Sequence, residues 1–462
     1  MNKIENMLTT DKKWLSFLDK YGNFFAIAVI CCLSLLITPG TIAFNILLGS
    51  LIALVIFLSP EKGLLLFIVL MPLHVILGKK AFFPGQWKEA VLVMIFLSWL
   101  IKGLIKKRLV FPKSKANIPI IVFIVYCIAL LCINIGDFKA NIMGLRNLLQ
   151  YIMVYFLTVA VIPKREHLKK YIFFFLTAGT LIALTNTIHY LSNPVMVDKI
   201  LHQPYHSGSK FLAYDFLGAN NYAYYLDTLI CISIGLFLFI RSRKVKCWLI
   251  ISTCILVTSL LLTYSKGGLL ALTVAVSLWA LKTNKKILLV LLLLYLGAFF
   301  LAPSTMYERF FTSVHYKEAI GIRAGFYPEQ LRLALSNPVF GIGMGKVGAV
   351  SQDALQPHSY YLYLLLQTGI VGLILYAWIF LTFLKQSLNL YKNLNDRFFK
   401  GLTAGIIMYY VVFAISAIFV ASGEAFLSAF IFWFLGGVVA ILSKSIQQDR
   451  PHILSVCQDA QI

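Results

Sequence analysis

The chain has 462 residues, 60% of them hydrophobic and only 13% charged, with a mean hydropathy of +0.84. A soluble domain is typically about a quarter charged, so this composition excludes a water-soluble enzyme and requires lipid as the main solvent. The net charge of +23 fits loops gathered on the cytoplasmic side of a membrane better than a nucleic-acid surface.

Residues 1–22 are polar with Trp14, Leu15, Phe17 and Leu18 interspersed, and no small-residue cleavage site follows the first apolar run. An interfacial, cytoplasmic amphipathic segment is expected there rather than a cleaved leader. Apolar runs then recur at about 23–38, 41–58, 63–78, 89–105, 117–134, 147–163, 170–190, 221–240, 247–264, 267–281, 287–303, 359–384, 401–420 and 425–442. A helix of about 20 residues crosses a ~30 Å hydrocarbon core. The pattern predicts an all-α polytopic membrane protein of 12–14 transmembrane helices, the lower count applying if the short first three runs merge or lie re-entrant. It divides the chain into a first membrane part (23–303), a long loop (304–358), the last spans (359–442) and a tail (443–462).

Charge placement orients this array. With the amino terminus inside, the basic runs at 102–115, 163–170, 241–246, 282–286 and 385–400 all fall on the cytoplasmic side. Roughly two thirds of all Lys and Arg then lie inside, although the longest loops lie outside. Both termini are expected in the cytoplasm and the 304–358 loop on the outer face. The eight cysteines, at 31, 32, 127, 132, 231, 247, 254 and 457, form no CxxC pair or Cys/His cluster. Neither a disulfide framework nor a zinc site is indicated.

The polar content of the outer side is concentrated in a few places. GKKAFFPGQWKEA (78–90) puts Lys88 at a helix entrance, and GLRNLLQY puts Arg146 at the start of a span. The loop 191–221 ends in YDFLGANNYAYYL, and the hairpin TYSKGG carries Lys266. Residues 321–376 begin with a polar helix-like segment bearing Arg323, Glu329 and Arg332. They pass through Gly341, Gly343, Gly345 and Gly348 and present His358 where an apolar helix begins. Cations at outer helix ends either snorkel to lipid headgroups or converge on an anion, Arg bidentately and Lys as a point charge. His358 is either an interfacial residue without a role or a base. Its place after Pro357, at a helix start, favours the neutral imidazole that can accept a proton.

Other signals point elsewhere. GIGMGKVG follows no strand and lies outside, so its glycines are read as turns rather than a nucleotide loop. His202 and His206 are separated by Pro204, which argues against one helix presenting both to a metal. Asp227 is an intramembrane carboxylate, open to a functional or a hydrogen-bonded structural reading.

At these residues the chain resembles the O-antigen ligase and polymerase superfamily, bacterial membrane glycosyltransferases of GT-C-like helical architecture. The resemblance is carried by Arg323, NPVFGIG, His358, Leu362 and QTGIVG, by GLRNLLQY with Arg146, and by TYSKGG and GANNYAYYL. Lys266 stands where relatives have Arg, Ser359 where Asn is common, and Gln367 where Glu is frequent. The resemblance implies a donor glycan on undecaprenyl diphosphate and an acceptor hydroxyl, from lipid A-core or from a glycan, attacking at the extracytoplasmic face of the bacterial cytoplasmic membrane. Arg146, Lys266 and Arg323, with Lys88, would bind the diphosphate, and His358 with Arg323 would be catalytic. His358 would take the hydroxyl proton and the anomeric centre would invert. No cofactor, metal or nucleic acid is implied. The same superfamily holds polysaccharide polymerases and protein O-oligosaccharyltransferases. A secondary anion transporter is the rival of another class; it would be expected to show repeats and broken midplane helices.

Overall fold

The computed structural model describes residues 50, 52–73, 87–105, 107, 113–133, 138–162, 164–192, 218–285, 288, 327–345, 357, 359–420 and 426–459. Every regular element among them is helical: α1 (52–58), α2 (Pro60–Leu70), a 3-10 turn (Met71–Leu73), α3 (Trp87–Ile105), α4 (Asn117–Ile133), α5 (Phe138–Leu149), α6 (Ile152–Val161) and α7 (Arg165–Leu191). They continue as α8 (Ala219–Phe239), α9 (Arg243–Leu262), α10 (Lys266–Thr283), α11 (327–336), α12 (Tyr360–Asn393), α13 (Arg397–Phe419) and α14 (Phe426–Asp459).

The protein is an all-α polytopic membrane protein. Among the described residues six helices are long and apolar enough to cross a membrane: α7, α8, α9, α12, α13 and the Leu427–Ile446 part of α14. The pair α5 and α6, bent by 40°, makes a seventh if it is one span. The segment 1–22, the expected span at 23–38 and, apart from Leu288, the expected span at 287–303 lie outside the described residues. The faces of α4 show why lipid must surround the bundle. Ile120, Phe123, Cys127 and Leu130 are buried at helical spacing, and the opposite face exposes Ile118, Ile121, Val122, Val125 and Ile128. A helix apolar on every side has no water-facing stripe.

The centre is built from α8 and α13. Gly401 and Gly405, one turn apart, let the backbones touch: a Cβ on Gly235 would lie 2.4 Å from Gly401 O and from Gly405 N. Small residues at this spacing are the usual means of close helix approach in lipid, where dispersion must replace the hydrophobic effect. Around this pair an aromatic stack joins α12, α13 and α14, with Phe413 and Phe432 rings 4.7 Å apart and Tyr376 stacked on Phe432 at 5.6 Å. Hydroxyls inside the helices bond the preceding turn, as Thr228 to Tyr224 O and Thr403 to Phe399 O (both 2.8 Å). This removes the cost of an unpaired polar group in hydrocarbon.

The bundle has two chemically distinct ends. At one, Lys169 pairs with Asp396 at 3.5 Å, Arg165 reaches Ser445, Lys102 Nζ donates to Leu58 O, and Tyr171 donates to Glu61 O. At the other end lie the starts of α8, α10 and α12 and the ends of α9 and α13.

Candidate active site

Arg146 sits on α5, FKANIMGLRNLL, whose pattern is amphipathic: Asn141, Gly144 and Leu148 are buried on one face while Lys139 and Arg146 are exposed. The structure corrects the expected placement. Arg146 does not open a span; it lies in the last turn of a separate helix that starts at Phe138, before the break at Gln150 and Tyr151. A cation there complements the negative end of the helix dipole. The buried face meets the glycine run. A Cβ on Gly144 would lie 2.2 Å from Gly345 N, and one on Gly345 would lie 1.9 Å from Ala140 O. Only backbone fits at this contact.

Lys88, in the first turn of α3, is half-buried. Burial lowers its ammonium below the usual lysine value of 10.5; Glu89 opposes this, and the Arg146 cation adds to it. Tyr151 lies within the electrostatic reach of Glu89 and Arg146 alike. Lys88, Glu89, Arg146 and Tyr151 therefore form one neighbourhood, built from α3 and the α5–α6 break. Two of the expected cations, Lys88 and Arg146, are brought together by it.

The segment 337–345 turns through positive φ at Gly341 (74°), Gly343 (109°) and Gly345 (79°), so the tight-turn reading holds. The glycines do more than turn. α12 is two helices joined at Gly369, which has φ 65° and ψ −172°, a conformation essentially confined to glycine. The loop fills this break. Ile342 N donates to Leu366 O at 2.8 Å, Ile370 N donates to Pro338 O at 2.9 Å, and Tyr126 on α4 donates its hydroxyl to Thr368 O at 2.7 Å. A Cβ on Gly369 would sit 2.1 Å from Val339 O. Backbone groups freed by the break thus find partners, as they must at membrane depth. One strap of nine residues ties the Arg146 helix to the helix that follows His358 in sequence.

Lys266 begins α10 and is largely exposed, and partial desolvation of its ammonium lowers it below the ordinary lysine value. Its hairpin turns at Tyr264, a non-glycine residue at φ 54°. Ser265 caps α10 by accepting from Gly268 N at 3.2 Å and donates to Asn220 Oδ1 at 2.7 Å. A Cβ on Gly267 would lie 2.9 Å from the Tyr224 hydroxyl and 3.8 Å from Phe419. The TYSKGG and GANNYAYYL segments are therefore one substructure at the start of α8. Ser359 Oγ donates to Ala417 O at 3.2 Å, so the residue after His358 and the Lys266 hairpin both meet the last turn of α13.

Asp227 is fully buried on α8, and neither carboxylate oxygen has a hydrogen-bond partner among the described residues. The hydrogen-bonded structural reading is not what the described residues show. Its Oδ2 would lie 3.4 Å from a Cβ on Gly268, beneath the start of α10. His358 and Arg323 lie outside the described residues, as do His202 and His206. Sequence reasoning missed Glu89, Tyr151, the Gly144–Gly345 contact and the Gly369 break. The small-residue pair GLTAG on α13 was a legible signal for close helix packing; an acid beside Lys88 carried none. Among the described residues no group of three or more His, Cys, Asp or Glu could hold a metal ion.

A family model described as O-antigen ligase matches residues 251–377. That stretch runs from α9 through Lys266, the strap and the Gly369 break, and it leaves out Lys88 and Arg146. No curated protein sequence matches the chain.

Proposed function

We propose that this protein is a membrane glycosyltransferase that moves a glycan from undecaprenyl diphosphate to an acceptor hydroxyl on the outer face of the bacterial cytoplasmic membrane. The family match and the polytopic bundle support glycan transfer in general. The observation that carries the finer reading is the shared end of the bundle. Lys88 and Arg146 form one cationic neighbourhood there, the strap locks the Arg146 helix to α12, and the Lys266 hairpin and Ser359 meet the same turn of α13.

In this mechanism the lipid tail lies among the exposed apolar faces and the diphosphate at headgroup level. The acceptor oxygen attacks the anomeric carbon as the bond to the diphosphate oxygen breaks, inverting the centre. His358 takes the acceptor's proton. Lys88, Arg146, Lys266 and Arg323 stabilise the charge that develops on the departing diphosphate, the task an electrostatic preorganised site performs best. Lipid A-core, a growing polysaccharide or a protein hydroxyl would each satisfy the chemistry. We favour a lipopolysaccharide-type or surface-polysaccharide acceptor, following the description of the matched family.

The Gly369 break and buried Asp227 are features an anion carrier would use. The break, however, is filled by the strap and its freed backbone groups are hydrogen-bonded, which argues against a substrate path at that point. The test is transfer by purified protein in detergent, with lipid-linked glycan, acceptor and EDTA, where no gradient exists. Product formation is expected, and His358→Ala should slow it by roughly 10²–10⁴-fold, the range for a lost general base. Absence of transfer alongside gradient-dependent anion uptake in vesicles would favour the carrier; dependence on a divalent ion would overturn the cation-only account.

A further inference from the structure

The sequence of α11 divides its surface into three sectors. Ala334, with Leu333 beside it, packs against Leu362, Leu365 and Leu366 of α12, and Gln330 one turn earlier is buried on the same face. Glu329, Arg332 and Ser336 make an exposed polar sector. Between the two, Leu331 and Leu335, one turn apart, are 51% and 66% exposed. The strap prolongs this apolar edge with Val339 and Phe340, 47% and 46% exposed. A helix lying between protein and water needs only a buried and a polar sector. The apolar edge is a third, and neither water nor the α12 contact accounts for it.

Its place along the bundle says what covers it. α12 folds at Gly369: along a straight helix Tyr360 and Tyr376 would stand about 24 Å apart, yet their rings are 5.3 Å apart. The second part, 370–393, is by itself about 36 Å long and exceeds the ~30 Å hydrocarbon core. Its far end adjoins Asp396, at the Lys169–Asp396 end of the bundle, so Gly369 stands at the opposite boundary of the membrane. The strap is fixed there, because Ile370 N donates to Pro338 O at 2.9 Å and Val339 O lies against Gly369. Directly below, Ile370, Ile374, Trp378 and Leu381 form the exposed apolar stripe of the span, Ile374 at 60%. Leu331, Leu335, Val339 and Phe340 continue that lipid-facing stripe beyond the fold. We infer that α11 and the strap lie in the membrane boundary, this edge seated among phospholipid acyl chains and the Arg332 sector turned to headgroups and water, the arrangement of an interfacial helix. The bilayer thereby sets the depth of the strap, whose other end meets α5 at Gly144. The partner is the bilayer itself, so the inference does not depend on glycan transfer.

The experiment attaches a nitroxide to Leu335→Cys, Phe340→Cys, Ile374→Cys, Arg332→Cys or Lys244→Cys, one at a time. The full-length protein, its eight native cysteines replaced, is held in nanodiscs of a single synthetic phospholipid. Relaxation of the label compares collisions with oxygen, which concentrates in hydrocarbon, and with a nickel chelate, which stays in water. The oxygen-to-nickel ratio at 335 and 340 should lie within about threefold of that at 374 and roughly tenfold or more above that at the aqueous position 244. Position 332 should resemble 244. Water-like ratios at both 335 and 340 overturn the inference. Shielding from both reagents overturns it too, because the chain itself or a second copy then covers the edge. Lipid-like ratios that arise only after undecaprenyl phosphate is added would make a polyprenyl chain the occupant in place of the bilayer, which also overturns it. A benzophenone side chain at 335, in protein that keeps its cysteines, gives an independent reading. Light should attach phospholipid there, as at 374, and mass spectrometry that finds the adduct at 374 alone counts against the inference.

Discussion

Lys88 and Lys266 are lysines where a guanidinium would have stayed charged at any accessible pH. Burial lowers both ammonium groups below the ordinary value of 10.5. A cation that loses its proton no longer attracts diphosphate, so affinity for undecaprenyl diphosphate should fall as pH rises, with the fall beginning below 10.5. Arginine does not titrate in this range. Lys88→Arg should remove one part of the fall and the double variant Lys88→Arg, Lys266→Arg should flatten it; binding isotherms between pH 7 and 10 check this. A flat wild-type profile would place both lysines away from the ligand. The resemblance to relatives with Arg at the hairpin sharpens the second case. Lys266→Arg should keep or raise transfer, whereas Lys266→Ala should lose on the order of 2–4 kcal/mol of transition-state stabilisation. Combined with Arg146→Ala the losses should be non-additive, because groups on one anion act as a unit. Strict additivity in that four-member cycle, with expression matched, would return Lys266 to the headgroup layer. The sequence named these cations by their scarcity on the outer side. It could not pair Lys88 with Arg146, which lie far apart in the chain and come within electrostatic reach only because α3 packs beside the α5–α6 break.

The strap is the element on which the proposed site depends. Its glycines are legible as turns from sequence alone, since Gly tolerates positive φ. That they also touch Ala140, Gly144 and Leu366 follows from packing between remote segments. Gly345→Ala and Gly144→Ala each place a methyl within 1.9–2.2 Å of opposing backbone, so α5 must shift away from the strap. Both should cut transfer at least tenfold while the protein still inserts and purifies, and the pair together should cost little more than either alone. Gly369→Ala should be worse, lowering thermal stability as well, because the conformation at Gly369 carries a strain of roughly 1–3 kcal/mol for a residue with a Cβ and the methyl would meet Val339 O. Thermal unfolding in detergent, read with the transfer assay, separates the two effects. An unaltered Gly369→Ala would mean that the loop does not occupy the break. The run at 359–384 was readable as one apolar span. Its break was not, because QTGIVG differs from an ordinary helix only by glycine, a residue that membrane helices also use for packing.

For the molecule as a whole, the polar pairs divide between two ends, and the proposed orientation puts the Lys169–Asp396 end in the cytoplasm. A single cysteine at 351 should be labelled by an impermeant reagent from the outer side and one at 392 should not. The reverse pattern would invert the topology and with it the compartment of the reaction. The chain by itself determined the class. Composition and runs of apolar residues set it, because a helix is the only way to satisfy a single segment's backbone in hydrocarbon, and that requirement is local. Charge bias likewise suggests an orientation, being a sum over loops that needs no contacts. Tertiary structure decided the rest: that α8 and α13 touch through Gly235, Gly401 and Gly405, that the strap plugs Gly369, and that the strap meets α5 at Gly144. Each of these is a meeting of residues distant in sequence, fixed by how close two backbones can approach. Hydropathy averages over a helix and carries no record of which of its faces meets which neighbour.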